Sequence, residues 1–342
     1  MLYIRTDMNP SIATGHMMRC LSIADAAASL GEDVTFILAD SEALGLIQER
    51  GYQAVVLHTK WDDMDSELDA LYQVIQEKRI KALLIDSYMV TKSYLQALAK
   101  WTKTAYIDDR NTFVYPVHIL ICYANYWQKF KYSQNYKETK LLLGTQYVPL
   151  RKDFHGLKRN EVKSRLENIL LMSGGSDKFH ILPQFLKRLN CSKYKAVDVI
   201  CGTYCTDYEQ LSREYGQNRN IHIHKSVNDI KDYMLRADAA ISAGGTTLYE
   251  LCACGTPTIT YSFADNQLDN VRQFAQDGLM DYLGDIRFED VSEKAALVLE
   301  QYEQQYELRE QRIRGMQELV DGGGAARIAK ELIGMNCNSK HN

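Results

Sequence analysis

The feature that most restricts this chain is a pattern that runs through it twice. In the first half, short apolar runs at Leu2–Thr6, Asp33–Ala39, Gln53–Leu57, Ala82–Asp86, Thr104–Asp108, His118–Tyr123 and Lys140–Gly144 alternate with helical stretches such as Gly15–Ser29, Met64–Glu77 and Lys92–Lys100. The alternation then restarts. Glu167–Ser176 is a strand that runs into glycines, and Ala196–Gly202, Asn220–Lys225, Ala239–Gly245 and Thr256–Ser262 follow with helices between them. Strands that alternate with helices form a parallel sheet covered on both faces. The chain therefore predicts two doubly wound α/β domains, residues 1–150 and 151–342. The join falls near Tyr147–Gly156, where a proline and charges interrupt the pattern. A length of 342 residues suits two domains of about 150 each.

Charge and cysteine usage narrow the class. Net charge is −4, shared equally by the two halves, so neither forms a basic platform and nucleic acid is not an expected partner. The eight cysteines lie in apolar runs. The pairs Cys201/Cys205 and Cys252/Cys254 do not make a four-ligand zinc pattern, so no metal is expected and the thiols read as reduced, in a cytoplasmic protein. Met1 leads straight into a strand with no signal peptide, and no run approaches the ~18 apolar residues of a membrane span. The tail Leu299–Leu319 reads as a solvated helix laced with ion pairs. After it, the glycines of Asp321–Leu332 read as a tight turn that lets the last helix cross back to the first domain.

In open α/β sheets ligands bind beyond the carboxyl ends of the strands, and three loops at such ends carry unusual residues. The first comes after Leu2–Thr6: Asp7, a polar loop, then Gly15-His16 at a helix start. Gly15 permits close backbone approach, and the helix-terminal field is expected to keep His16 neutral and able to accept a proton, although a capping or packing role is also open. The second, Met172–Asp177, holds Gly174, Gly175 and Ser176, a plausible anion-binding turn that fits neither a P-loop nor a dinucleotide fingerprint. The third, Ala237–Gln267, is the richest. Gly244 and Gly245 allow a tight turn, and Thr246 and Thr247 offer donors at a helix start, together a diphosphate cradle. Glu250, one turn further, suits the two hydroxyls of a ribose. The loop Ala264–Gln267, with Asn266 and Gln267, suits hydroxyls or acetamido groups of a sugar.

This block resembles the GT-B nucleotide-sugar fold, two Rossmann-like domains with an interdomain cleft. It is similar to the C-terminal domain of the peptidoglycan N-acetylglucosaminyltransferase, with Gly244, Gly245, Thr246 and Glu250 in phase with that family's glycine-to-glutamate motif. Over nearly the whole chain the sequence resembles the UDP-sugar hydrolase family of pseudaminic acid biosynthesis. The segments are RTDMNPSIATGHMMRCLSIADAAASLG, LIDSY, YIDD, GTQYVPLRKDF, LMSGGSD, ADAAISAGGTTLYELCACGTPTI and ADNQ. Ala13 departs from the family's usual glycine. The resemblance implies hydrolysis of UDP-2,4-diacetamido-2,4,6-trideoxy-β-L-altropyranose to UDP and free sugar without a cofactor, and His16 as the base that activates water. The similarity to the transferase implies that the backbone of Val227, read as opening a helix, meets the uracil.

Further residues are expected near the sugar or phosphates. Asp7 would orient the base or a hydroxyl, and Arg19 would face the phosphates. Asp86, Tyr88, Asp108 and Asp109 sit at strand ends as sugar contacts or loop caps. The tyrosine-rich Cys122–Phe130 is a further candidate for contact with the sugar. Two rival readings stand beside the hydrolase: a glycosyltransferase with the same UDP cradle, and a non-catalytic nucleotide-sugar-binding protein of surface or spore-coat polysaccharide assembly. The sequence does not speak to oligomeric state.

Overall fold

The computed structural model describes residues 1–9, 11–12, 14–175, 177–227 and 229–337. The chain divides into two compact units, Met1–Lys152 with Gly322–Asn342, and Asp153–Asp321.

The first unit runs β1 (Leu2–Thr6), α1 (Gly15–Ser29), β2 (Val34–Leu38), α2 (Leu44–Glu49), β3 (Gln53–Val56), α3 (Leu68–Lys78), β4 (Ala82–Asp86), α4 (Lys92–Trp101), β5 (Lys103–Ile107), β6 (Ile119–Cys122), α5 (Tyr132–Asn135) and β7 (Lys140–Leu143). All seven strands are parallel, in the order β3-β2-β1-β4-β5-β6-β7. The strands β1, β2, β4 and β6 are buried at every residue, which explains why they read as unbroken apolar runs. The strand order reverses between β1 and β4, whose ends pair as Thr6 with Asp86.

The second unit runs β8 (Asn168–Met172), α6 (Ile181–Arg188), β9 (Ala196–Cys201), α7 (Tyr208–Tyr215), β10 (Ile221–Lys225), α8 (Ile230–Arg236), β11 (Ala239–Ala243), α9 (Thr247–Cys254), β12 (Thr258–Ser262), α10 (Asp265–Gln276), β13 (Met280–Asp285), α11 (Ser292–Gln304) and α12 (Tyr306–Leu319). Its six parallel strands take the order β10-β9-β8-β11-β12-β13, with the reversal between β8 and β11. The chain then enters α13 (Gly324–Cys337), which belongs to the first unit and packs on α1. Gly324 starts it because a Cβ there would stand 2.2 Å from the carbonyl oxygen of Val148.

Three expectations need correction. The edge strand β13 is not apparent as an apolar run, because two aspartates and a glycine break its pattern. The charge-rich tail is two helices broken at Gln305, and α12 is not simply solvated: Arg309 and Arg312 are buried, and Arg312 pairs with Asp281 and Tyr302. Residues 265–267, read as loop, form the first turn of α10.

Candidate functional site

In the first unit, the two strands at the reversal bring a cluster of polar side chains together. The loop after β1 leads into α1, and β4 ends at Asp86. On α1 the spacing i, i+3, i+4 sets His16, Arg19 and Cys20 on one face, and all three meet the Asp86 carboxylate. His16 Nδ1 lies 2.7 Å from Oδ1. Arg19 donates to both oxygens, Nε at 2.6 Å and Nη2 at 2.5 Å. Cys20 Sγ donates to Oδ2 at 3.4 Å. Burial alone would push the Asp86 carboxyl up, but Arg19 and His16 beside it hold it well below the usual carboxylate range.

An ionised Asp86 fixes the imidazole tautomer. Arg19 Nη2 also lies 2.9 Å from His16 Nδ1, but an Nδ1 lone pair facing a carboxylate at 2.7 Å would be repelled. In the neutral ring Nδ1 therefore carries the proton and donates it to Asp86, and Nε2 keeps its lone pair. The ring is held on its other side by Tyr88, edge to face at 4.6 Å between centroids. The Tyr88 hydroxyl donates to Asp109 Oδ2 at 2.8 Å, and Arg19 Nη1 donates to the Tyr123 hydroxyl at 2.7 Å.

So His16, Arg19, Asp86 and Tyr88 are brought together, and Tyr123 and Asp109 join them. Both oxygens of Asp86, expected as a sugar contact, are taken by protein donors. Asp7 is turned to another network. It accepts from Arg5 Nη1 at 2.5 Å and from the Ala39 amide at 2.8 Å, and Arg5 is in turn paired with Glu67. Asp108 caps its own turn, accepting from the amides of Arg110 and Asn111 and from Tyr115 and Tyr132. A Cβ at Gly15 would meet nothing within 4 Å. Ala13 lies outside the described residues.

The second unit holds a cavity of about 220 Å³ at the strand ends beside its own reversal. Gly174, Gly175, Val227, Thr247 and Glu250 line it, as do Gly202 and Thr203, which sequence reasoning passed over. Gly202 is demanded by packing: a Cβ there would stand 2.2 Å from the Gly174 carbonyl oxygen and 2.6 Å from the Gly175 carbonyl carbon. The signal available was its position directly after β9, which repeats the strand-to-glycine pattern of β8 and β11. Gly174 has φ +82°, the left-handed region that favours glycine. Ser176 lies outside the described residues. Asp177 caps α6, its two oxygens accepting from Ile181 and Leu182, so the N-terminus of that helix already holds a carboxylate. Val227 precedes α8 and does not open it.

The adjacent glycines differ. A Cβ on Gly244 would sit 2.3 Å from Val271 Cγ1 of α10, whereas one on Gly245 would meet nothing within 4 Å. Neither has a positive φ, so the tight-turn rationale applies to neither. The Thr246 and Thr247 amides find no acceptor among the described residues, where α9 begins. Asn266 is exposed, while Gln267 is buried and its Oε1 accepts from the Phe263 amide at 2.9 Å, which gives it a structural duty. Among the described residues no group of side chains could hold a metal ion, and no helix is long and apolar enough to cross a membrane.

Residues 169–321 match the model of the glycosyltransferase family 28 C-terminal domain. The match spans most of the second unit. The chain is 34% identical over 137 residues, 36% of each chain, to the UDP-N-acetylglucosamine–N-acetylmuramyl-(pentapeptide) pyrophosphoryl-undecaprenol N-acetylglucosamine transferase of Helicobacter pylori. Longer matches reach beyond it. The spore coat polysaccharide biosynthesis protein SpsG of Bacillus subtilis is 24% identical over 93% of both chains. The uncharacterized protein MJ1062 of Methanocaldococcus jannaschii is 23% identical over 75% of this chain, which spans 54% of that protein's length. In structure the chain is similar to Acinetobacter baumannii MurG, with TM-score 0.68 at 12% identity over 97% of this chain and 99% of that one. With two Rossmann-like parallel sheets and this structural likeness, the fold is of GT-B type.

Proposed function

We propose that this protein hydrolyses a nucleotide sugar, releasing UDP from UDP-2,4-diacetamido-2,4,6-trideoxy-β-L-altropyranose by attack of water at the anomeric carbon. The observation that carries the chemistry is the His16–Asp86 pair at 2.7 Å, which leaves Nε2 as a proton acceptor. A water hydrogen-bonded to Nε2 loses its proton to the imidazole as its oxygen bonds to the anomeric carbon and the bond to the diphosphate breaks. Asp86 keeps its charge and steadies the imidazolium, as an orienting carboxylate does in other histidine bases. General-base help supplies roughly 10²–10⁴-fold, and placement of the water and charge stabilisation on the leaving diphosphate supply the rest.

The nucleotide half of the substrate is assigned to the second unit, where the family 28 model matches. Glu250 and Val227 line its cavity and suit ribose hydroxyls and uracil, and the amides of Thr246 and Thr247 suit the diphosphate. Tyr88, and Arg19 through Tyr123, suit the sugar end. The identity of the sugar and the choice of water come from the resemblance to the hydrolase family. No cofactor enters this chemistry.

A second reading has its own support. The family 28 match and the name of the Helicobacter pylori relative favour transfer of the sugar to an acceptor hydroxyl, with His16 deprotonating that hydroxyl instead of water. UDP release from UDP-linked diacetamido sugars, with and without added acceptor alcohols, separates the two. Release without acceptor, lost in His16→Ala while UDP still binds, supports hydrolysis. Release only with acceptor supports transfer. Tight UDP binding without turnover of any donor refutes both and leaves a binding protein.

A further inference from the structure

The charges around His16 do not cancel. Arg19 and Asp86 form a two-pronged pair, one positive and one negative. Asp109, two residues beyond β5, adds a second carboxylate. Its Oδ2 accepts from Tyr88 at 2.8 Å and lies 3.9 Å from Arg19 Nη1, too far for a direct hydrogen bond. Its Oδ1 is buried with no partner among the described residues.

The other groups that face the imidazole bring no compensating charge. On α1 these are Arg19 and Cys20, at the end of β4 Asp86 and Tyr88, after β5 Asp108 to Arg110, and after β6 Tyr123. Burial pushes the Cys20 thiol and the Tyr88 and Tyr123 hydroxyls up, so they stay protonated. Asp108 is enclosed by its own turn. Arg110 is exposed, where water screens its charge, and it stacks on the Tyr88 ring at 5.1 Å. Burial pushes the half-buried Asp109 carboxyl up from its ordinary value, while Arg19 and Tyr88 draw it back down. With Asp109 ionised and a neutral imidazole, the set Asp86, Asp109 and Arg19 carries one net negative charge. It becomes neutral when His16 takes a proton.

We infer that Asp109 is a positioning residue whose carboxylate acts through Tyr88 and Arg19 to stabilise the imidazolium of His16, a task Asp86 does not complete because Arg19 already balances it. The inference rests on His16 as the base of the proposed reaction, but its main test does not require turnover. The imidazole Cε1–H of His16 is followed by NMR against pH in the full-length protein and in Asp109→Asn, Asp109→Ala and Asp109→Glu.

Loss of the charge is expected to move the His16 midpoint to lower pH by about 0.5–1 unit, while the midpoints of His180 and His224 in the second unit stay put. Asp109→Glu is expected to restore most of the shift. In the reaction, the acid limb of kcat/KM moves by the same amount and in the same direction, and the plateau falls about three- to tenfold. A midpoint and acid limb unmoved within about 0.2 unit in Asp109→Asn, or in Asp109→Ala if that variant folds better, overturn the inference. If the wild type turns over no UDP-sugar, the hydrolase reading fails, and the NMR midpoint still decides the role of Asp109.

Discussion

Gly244 and Gly245 are neighbours in sequence with opposite expected phenotypes. Replacing Gly244 by alanine drives a methyl to 2.3 Å from Val271 Cγ1, with Gln267 Cβ and the Tyr261 carbonyl oxygen at 3.3 Å. Carbon contacts favour about 3.5–4.0 Å, so α10 has to give way by about an ångström. Overpacking of that kind costs about 1–3 kcal/mol, a fall in melting temperature of roughly 2–12 °C for a unit of this size. Replacing Gly245 adds a methyl that meets no protein atom within 4 Å and sits at a residue of ordinary φ. Its melting temperature should stay within about a degree of wild type. If a diphosphate oxygen occupies that space, the methyl removes a charge-assisted hydrogen bond worth about 1.5–3 kcal/mol, and UDP affinity drops ~10–150-fold. Calorimetric UDP titration and a thermal melt on both variants read the two effects. Wild-type UDP affinity in Gly245→Ala refutes the diphosphate assignment at the start of α9. A stable Gly244→Ala refutes the packing account.

The same contacts set other outcomes. Gly202→Ala pushes a Cβ against the backbone of Gly174 and Gly175, which no rotamer relieves; UDP binding is expected to weaken at least about tenfold, checked by the same titration. Asp86→Asn removes the charge that fixes the His16 tautomer and pairs with Arg19; kcat is expected to fall about 10²–10⁴-fold, measured as released UDP, with a loss of about 3–5 kcal/mol in urea unfolding. The Asp86 carboxyl is held below its unfolded value of 3.8, so its stabilisation is complete above that value and is lost as pH falls through the lower folded one. Below about pH 4 the wild type should therefore lose stability more steeply than Asp86→Asn, as read from melts between about pH 2 and 5.

Much of this protein is written in local pattern. A strand buried on both faces has to be apolar throughout, so β1, β2, β4 and β6 stand out in the sequence, and the glycines after β8 and β11 mark where strands end in turns. The spacing of His16, Arg19 and Cys20 is enough to place them on one helix face. Their partner is not local. Asp86 is 70 residues from His16, and only the pairing of β4 beside β1 brings its carboxylate to Nδ1. Tertiary packing likewise gives Gly244 to α10 and leaves Gly245 free, ties Asp7 to the Ala39 amide and Asp108 to the Tyr132 hydroxyl, and makes a neighbour of Arg19 out of Asp109. Short-range sterics and hydrophobic periodicity act within a few residues, so the elements and the doubly wound sheets could be deduced from residue order. Which charges meet, and which side chains are already engaged, depend on contacts between strands far apart in the chain, so these emerge only when the sheets assemble.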